Sequence, residues 1–411
     1  MNKVIKDKPF IGVKRSIYVA ASVTLLISSF WGLYFMAPSV IKGLFSLCMW
    51  VSVFSVPFVL VRDNDFSKTT NWLLCFLLIM AVFEIARSVF NTEAVMYAFG
   101  NKWFTLFGNE YTALLLLPPI YTFLGTKTYS VPLLKSATYY YIAVGILLSF
   151  LNKTPLSFLS IYAGVFFPYV KKKYKIFIGT VFFSAIVSAF FAEKTARMFL
   201  VVLLFSFASY ILVYIFDFRR LRHAFVLVVL ITPLLIFVPM LSQSDNGTSI
   251  FQDMQEVVLD ETDNSDMASD TRTFLYLEMA SSLSKDNAWL IGKGAFSHYY
   301  SFYFDQSSRG KFGRISSEVP FLNYLLRGGI IYTIAYFCLI ILAVYNAVWK
   351  AQNKFVRSIG IIAVGWYFNS FVGDITGCRF YHLAFFLLIG CCLSSKWLNY
   401  TDEEIKKIMT S

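Results

Sequence analysis

QSDNGTSIFQDMQEVVLDETDNSDMASDTRTFLYLEMASSLSKDNAWLIGKGAFSHYYSFYFDQSSRGKFGRISS, residues 243–317, is the one long polar stretch of this 411-residue chain. Its surroundings decide the fold. Nine apolar segments precede it, at about 16–35, 43–61, 72–90, 104–124, 133–151, 156–170, 176–192, 198–216 and 224–242. Three follow, at about 319–346, 359–374 and 380–395. A helix needs roughly 20 apolar residues to cross a bilayer, and these segments meet or approach that length. Of all residues 57% are hydrophobic and 15% charged, whereas a soluble domain carries about 25% charged residues. The expectation is an all-α integral membrane protein of about twelve transmembrane helices in one bundle. Spans one to nine occupy 1–242, the large loop 243–317, spans ten to twelve 318–395, and a tail 396–411.

The net charge of +12 raises nucleic acid as a partner. The distribution argues against it, because Lys and Arg sit in short clusters between apolar runs, such as Lys171–Lys172–Lys173–Lys175 and Arg219–Arg220–Arg222. With a cytoplasmic N-terminus, the inner segments hold 22 Lys and Arg, and the short outer loops hold six: Lys42, Lys102, Lys153, Lys194, Arg197 and Arg379. Basic residues gather on the cytoplasmic side of membrane proteins. Both termini are therefore expected in the cytoplasm, with 243–317 on the outer face. The apolar run from Ser16 to Phe35 exceeds a signal-peptide core and no small-residue cleavage site follows it, so it reads as an uncleaved first span. Five of the six Cys lie in or at the ends of apolar runs, and Cys378 lies in a short loop. None has metal-ligand spacing, and structural thiols are expected.

Within the loop, Ile250, Phe251, Met254, Val257 and Val258 form the apolar face of a short amphipathic helix. It rests either on the membrane surface or on the rest of the loop. A second helix is expected from Asp270, a good N-cap, through Leu283. Arg272 then lies in its first turn, against the helix dipole, as an anion-binding group or a solvated surface residue. Leu290-Ile-Gly-Lys-Gly-Ala-Phe296 follows, with two glycines that permit a tight turn and close backbone approach. Arg309, Lys311 and Arg314 form a basic run before the chain re-enters the membrane. Glu318 stands at that mouth, with Pro320 suited to the first helical turn. Two readings of Glu318 stand: an N-terminal cap residue favoured by the helix dipole, or a general base at a membrane-edge cleft.

Ionisable residues at membrane depth are functional candidates by default. Glu84 and Arg87, three apart on one helix face, are expected to pair with each other. Glu193, Lys194 and Arg197 form a short outer turn, and Asp374 and Arg379 flank another. Arg197, Arg272, Arg314 and Arg379 all reach the outer surface in this topology, and converging guanidinium groups suit a phosphate. His223, His298 and His382 are scattered and suggest no metal cluster.

Three stretches carry a resemblance. Glu193-Lys-Thr-Ala-Arg197-Met-Phe-Leu is an outer turn with an Arg entering the next span. Asp270-Thr-Arg272 is followed by a helix and then Gly292-Lys-Gly294. Glu318-Val-Pro-Phe-Leu-Asn-Tyr-Leu-Leu-Arg-Gly-Gly329-Ile-Ile places an acid eleven positions before a Gly-Ile pair. With about twelve spans and one large outer loop in the second half, the chain resembles the O-antigen polymerase (Wzy) and O-antigen ligase family of bacterial envelope glycosyltransferases. Ligases typically open the last motif with His-Asn, and Glu318-Val319 here tilts the reading toward polymerase. The resemblance implies a GT-C-like, multi-pass protein of the bacterial inner membrane. The donor is a glycan on undecaprenyl diphosphate, and the acceptor is a sugar hydroxyl of the next lipid-linked unit. Arg197, Arg272, Arg314 and Arg379 hold the diphosphate, and Glu318 takes the acceptor proton. No metal and no cofactor are implied. The partners are the undecaprenyl-diphosphate-linked oligosaccharide, membrane lipids and a chain-length regulator protein, with no nucleic acid.

Three other readings compete. A ligase is mechanistically near. A lipid-linked oligosaccharide flippase has a similar span count but does not need so large an outer loop. A transporter is expected to carry broken helices in matching halves. Pro118 and Pro119 interrupt span four without a symmetric counterpart.

Overall fold

The computed structural model describes residues 65–90, 110–126, 164–172, 204–242, 271–301, 314–373 and 380–410, with single residues between 131 and 183. The expected spans at 16–35, 43–61, 133–151 and 176–192, the first half of 156–170, and the loop helix at 250–258 lie wholly or largely outside these residues.

The described residues are helical, without a strand. Helix α1 is Lys68–Val89, capped by the Ser67 hydroxyl, which accepts from the Thr70 amide. Helix α2, Glu110–Leu124, runs through both Pro118 and Pro119. An apolar helical segment, Leu204–Ile215, ends in a π-helical turn and leads into α3, Arg219–Ser242. Helix α4, Thr271–Lys285, belongs to the polar stretch and starts where the Asp270 cap signal places it. Helix α5, Pro320–Tyr345, begins on Pro320 and continues as a π-helical turn, Asn346–Lys350. Helices α6 (Lys354–Val372), α7 (Phe380–Leu393), α8 (Ser395–Asn399) and α9 (Asp402–Thr410) complete the set.

Among the described residues, four helices are long and apolar enough to cross a membrane: Lys68–Val89, Arg219–Phe237, Pro320–Lys350 and Lys354–Val372. This is the architecture of an all-α membrane protein. Within the apolar stretch of α6, 83% of the residues are buried in the protein, against 17% for α3. Helix α6 is therefore the bundle's centre and α3 lies at its periphery. Helix α1 shows how both faces of a span are used. Trp72, Phe76, Ile79 and Phe83 point outward, and Leu74, Leu77, Ala81, Glu84, Ile85 and Ser88 point inward. Helices α2 and α7 cross at Gly125 and Gly390, whose Cα atoms leave no room for a side chain on either. Small residues at such crossings let backbones approach closely where apolar burial gives no net drive.

The two ends of the bundle are built differently. At one, the Asp65 carboxylate accepts from the Ser394 hydroxyl (2.6 Å) and the Lys396 amide (2.6 Å). Asn353 there bonds the carbonyls of Trp397 and Tyr400. At the other, Tyr276 of α4 donates to the Phe371 carbonyl at the end of α6 (2.7 Å). Phe237, Tyr276, Phe321 and Phe371 stack there, with ring centroids 4.8–6.2 Å apart. Helix α1 runs from the first end to the second, α5 the opposite way, α6 with α1, and α7 back again.

Candidate functional site

The site grows from a break in α5. Gly329 has φ 64 and ψ −169, a conformation open in practice only to glycine, and it interrupts the helix one-third of the way along. A break in a span frees backbone groups that lipid cannot satisfy. The polar stretch supplies the partners. Lys293 N donates to Leu326 O (2.7 Å) and Gly294 N to Arg327 O (3.1 Å). In return Ile330 N donates to Trp289 O (2.8 Å) and Ile331 N to Leu290 O (3.2 Å). A Cβ on Gly292 would sit 2.6 Å from the Arg327 carbonyl and the Gly329 nitrogen. The close approach expected of the Gly292-Lys-Gly294 motif is thus made against another interrupted backbone.

Helix α1 clamps the same turn from the other side. Arg87 pairs with Glu84 on its own helix and donates to the carbonyls of Ile291 (2.9 Å) and Gly292 (2.9 Å). The expected Glu84–Arg87 pair is present and also serves the loop. Ala295 N reaches Glu84 O (3.3 Å). A side chain on Gly294 would collide with Ser88.

Lys293 itself is fully engaged. Its ammonium pairs with Asp286 and donates to Ser282 Oγ (2.8 Å) and His298 O (3.3 Å). An ammonium has three protons, so this Lys staples the turn onto α4. Burial lowers the Lys293 pKa, Asp286 opposes that shift, and Lys285 adds to it.

Arg327 carries the order to the re-entry point. This wholly buried residue donates through Nε to Ala295 O (3.2 Å), through Nη1 to Asn323 Oδ1 (3.0 Å), and through Nη2 to Ile315 O (2.9 Å). Asn323 in turn accepts from Ser317 N (2.9 Å) and donates to Ser317 O (2.6 Å). The residues just before α5 are therefore held at Ile315 and at both backbone groups of Ser317. Sequence reading passed over Arg327 and Asn323. Their polar character four apart within an apolar span was the available signal.

Glu318 and Arg314 stand on this support. The N-cap of α5 is Val319, without a side-chain cap bond, so Glu318 is not the capping residue. Its carboxylate is 46% exposed and lies 3.5 Å from the Arg314 guanidinium. Arg314 also forms a two-bond antiparallel bridge with Tyr299 (2.9 and 3.0 Å). Tyr299 is buried, and burial pushes the pKa of its phenol far above the usual range. Arg314 opposes that shift, and the negative charges of Glu278 and Glu318 add to it. Glu278, on α4, is 1% exposed and accepts from the Ser301 hydroxyl (3.2 Å). Glu278, Tyr299, Arg314 and Glu318 thus form one cluster where the loop meets the bundle.

Glu278 was the other residue missed. It shares a buried face with Leu275, Met279, Ser282 and Leu283, the i, i+3, i+4, i+7, i+8 pattern of a packed helix side. An acid within that stripe was the signal.

Of the residues expected to hold a diphosphate, Arg314 is in the cluster and Arg272 occupies the first turn of α4, its side chain outside the described part. Arg197 and Arg379 lie outside the described residues. Among the described residues, no group of three or more His, Cys, Asp or Glu is arranged to hold a metal ion. The arrangement offers a half-exposed carboxylate beside a cation, a neutral phenol and a second, buried carboxylate. It can accept a proton from a hydroxyl and orient that hydroxyl against a charged neighbour. Comparison with protein families, with curated proteins and with solved structures finds no match to this chain.

Proposed function

We propose that this chain is a polysaccharide polymerase of the O-antigen type, joining undecaprenyl-diphosphate-linked repeat units at the outer face of a bacterial inner membrane. The observation that carries the reading is the Arg314–Glu318 pair at the head of α5, with Tyr299 and Glu278 behind it. A glycosyl transfer of this kind needs a base for one hydroxyl and charge stabilisation for a departing diphosphate. Both substrates are tethered to lipid, so the site belongs where a polar loop meets membrane helices.

In this reading the acceptor hydroxyl loses its proton to Glu318 as its oxygen bonds the anomeric carbon of the donor. The bond from that carbon to the diphosphate oxygen breaks, and the lipid diphosphate leaves. Arg314 is shared with Glu318 and contributes orientation as well as charge, so most of the diphosphate load falls on Arg272, Arg197 and Arg379. Guanidinium groups suffice for this without a metal. The loop is the lid, and the remaining spans complete the proposed twelve.

The break in α5 bears on the transporter reading. Discontinuous helices in transporters expose half-helix ends to substrate in a cavity. Here the freed backbone groups at Gly329 are taken up by residues 289–294, which favours a scaffold over a transport site.

The decisive experiment is the lipopolysaccharide and lipid-linked glycan profile of a deletion strain. A single repeat unit on the lipid core, restored to long chains by the wild-type gene, is the expected result. Unmodified core would point to an upstream step or to a ligase instead, and a normal ladder would remove the chain from glycan assembly. Complementation with Glu318→Ala is expected to leave single repeats while the protein remains in the membrane.

A further inference from the structure

The end of the bundle opposite the loop carries an unbalanced set of charges. The chain leaves Leu204–Ile215 through its π-helical turn and reverses at Asp217, whose φ is 42. The Asp217 carboxylate meets Arg222 at 2.8 Å, Lys354 at 3.6 Å and Arg357 at 3.8 Å. Three cations from two helices thus share one carboxylate. The nearby Asp402 carboxylate accepts from the Lys354 amide (2.7 Å).

Helix direction makes the imbalance worse. Arg219, Arg220 and Arg222 lie in the first turn of α3, and Lys354 and Arg357 in that of α6. Neither first turn holds an acidic residue. Helix N-termini carry positive partial charge, so cations there are unfavourable and an anion is favourable. The Arg222 side chain is 4% exposed, and its Nε is buried without a hydrogen-bond partner.

Apolar groups flank the cations. Phe216 and Phe218, on either side of Asp217, are 53% and 63% exposed and stack on each other at 6.2 Å. Leu221 and Ile215 are exposed beside them. We propose that Arg222, Lys354 and Arg357 form a binding site for the phosphate of an anionic phospholipid, whose acyl chains lie against Phe216, Phe218 and Leu221. A free phosphate would use the cations and leave the aromatic pair unexplained. A lipid uses both, with the cations at the starts of two membrane-length helices and the aromatic pair just before the first of them. Lys354 and Arg357 are partly exposed, so a headgroup reaches them directly.

The test uses the full-length protein purified in detergent, incubated with vesicles of equimolar phosphatidylcholine and phosphatidylglycerol, and read by native mass spectrometry for retained lipid. Wild-type protein should retain phosphatidylglycerol preferentially. The Lys354→Gln/Arg357→Gln double variant should weaken retention by about 30-fold, as expected for two interfacial cations. Asp217→Asn removes the competing carboxylate and should strengthen it. Phe216→Ser/Phe218→Ser should weaken it with the cations intact. Lys406→Gln/Lys407→Gln, the same charge change on exposed positions of α9, should leave it unchanged. Equal retention of the two lipids, an unaffected Lys354/Arg357 variant, or an equal loss in the α9 control would overturn the site. Displacement of the lipid by millimolar inorganic phosphate, with the Phe variants unaffected, would assign the site to free phosphate instead.

Discussion

At the scale of single residues, the buried charges separate structural from chemical roles. Glu84 is wholly buried and Arg87 is its ion-pair partner, so removing the cation alone strands a carboxylate. Breaking a buried pair from one side costs of order 3 kcal/mol. Arg87→Ala should lower thermal stability in detergent accordingly, and Glu84→Gln/Arg87→Ala should recover much of the loss because no charge is then stranded. A double variant as unstable as the single one would mean that the Arg87 bonds to Ile291 and Gly292, not the ion pair, carry the energy. Glu318 and Glu278 should behave differently. Glu318→Gln keeps size and removes the base, so polymer output should fall by roughly 10²–10⁴-fold with stability unchanged. Glu278→Gln touches no solvent-facing group, and if Glu278 positions Tyr299 and Arg314 its variant should lower output while moving its pH profile. A profile that keeps its shape would reduce Glu278 to packing.

At the scale of elements, the loop and the break in α5 are two halves of one structure. Gly292 and Gly329 both have positive φ and face each other closely. Gly292→Ala incurs backbone strain of about 1–3 kcal/mol in addition to the clash with Arg327. It should expose the amides of residues 289–296 to hydrogen exchange before the spans respond, whereas uniform loss of protection would show that the loop does not open separately. His298 gives this element a pH response. Its pKa lies below the ordinary 6.5 because of burial first, then Lys293, with Asp286 opposing. The unfolded chain therefore takes up the proton first as pH falls. Stability from this group is intact above 6.5, declines as pH falls below it, and stops declining once the folded imidazole also titrates. His298→Gln should flatten that decline in melts between neutral pH and about 5. The start of α4, the Pro320 start of α5, the Glu84–Arg87 pair and the glycine motif were legible because each rests on local rules of capping, spacing or backbone freedom. The break at Gly329 was not. A Gly-Gly pair inside an apolar run is ordinary in a span, and only its pairing with residues nearly forty positions earlier reveals it. Arg327 and Glu278 each carried a local signal, a polar group in an apolar span and an acid in a packed helix face, but that signal did not show their distant partners Ala295 and Ser301.

At the scale of the whole molecule, the helix directions and the charge pattern agree on one orientation. The end holding Asp65, Asn353 and Ser394 also holds Lys354, Arg357 and the Arg219–Arg222 run, and the end holding Arg87 and Phe371 also holds α4 and the Glu318 cluster. Basic residues favour the cytoplasmic side, so the proposed arrangement puts the first end inside and the Glu318 cluster outside. The prediction concerns two exposed positions at opposite ends, Lys285 at the close of α4 and Glu403 on α9. Each is changed to Cys, and labelling by a membrane-impermeant maleimide is compared with that of the wild-type chain, whose six native Cys set the background. In intact spheroplasts, Lys285→Cys should label above background and Glu403→Cys should not. After lysis both should label. The reverse pattern would invert the bundle, place Glu318 in the cytoplasm, and separate the cluster from any substrate delivered to the outer face. Labelling of both sites in intact cells would mean that the two ends do not lie on opposite sides of one membrane, and the reading of α1, α5 and α6 as spans would fall with it.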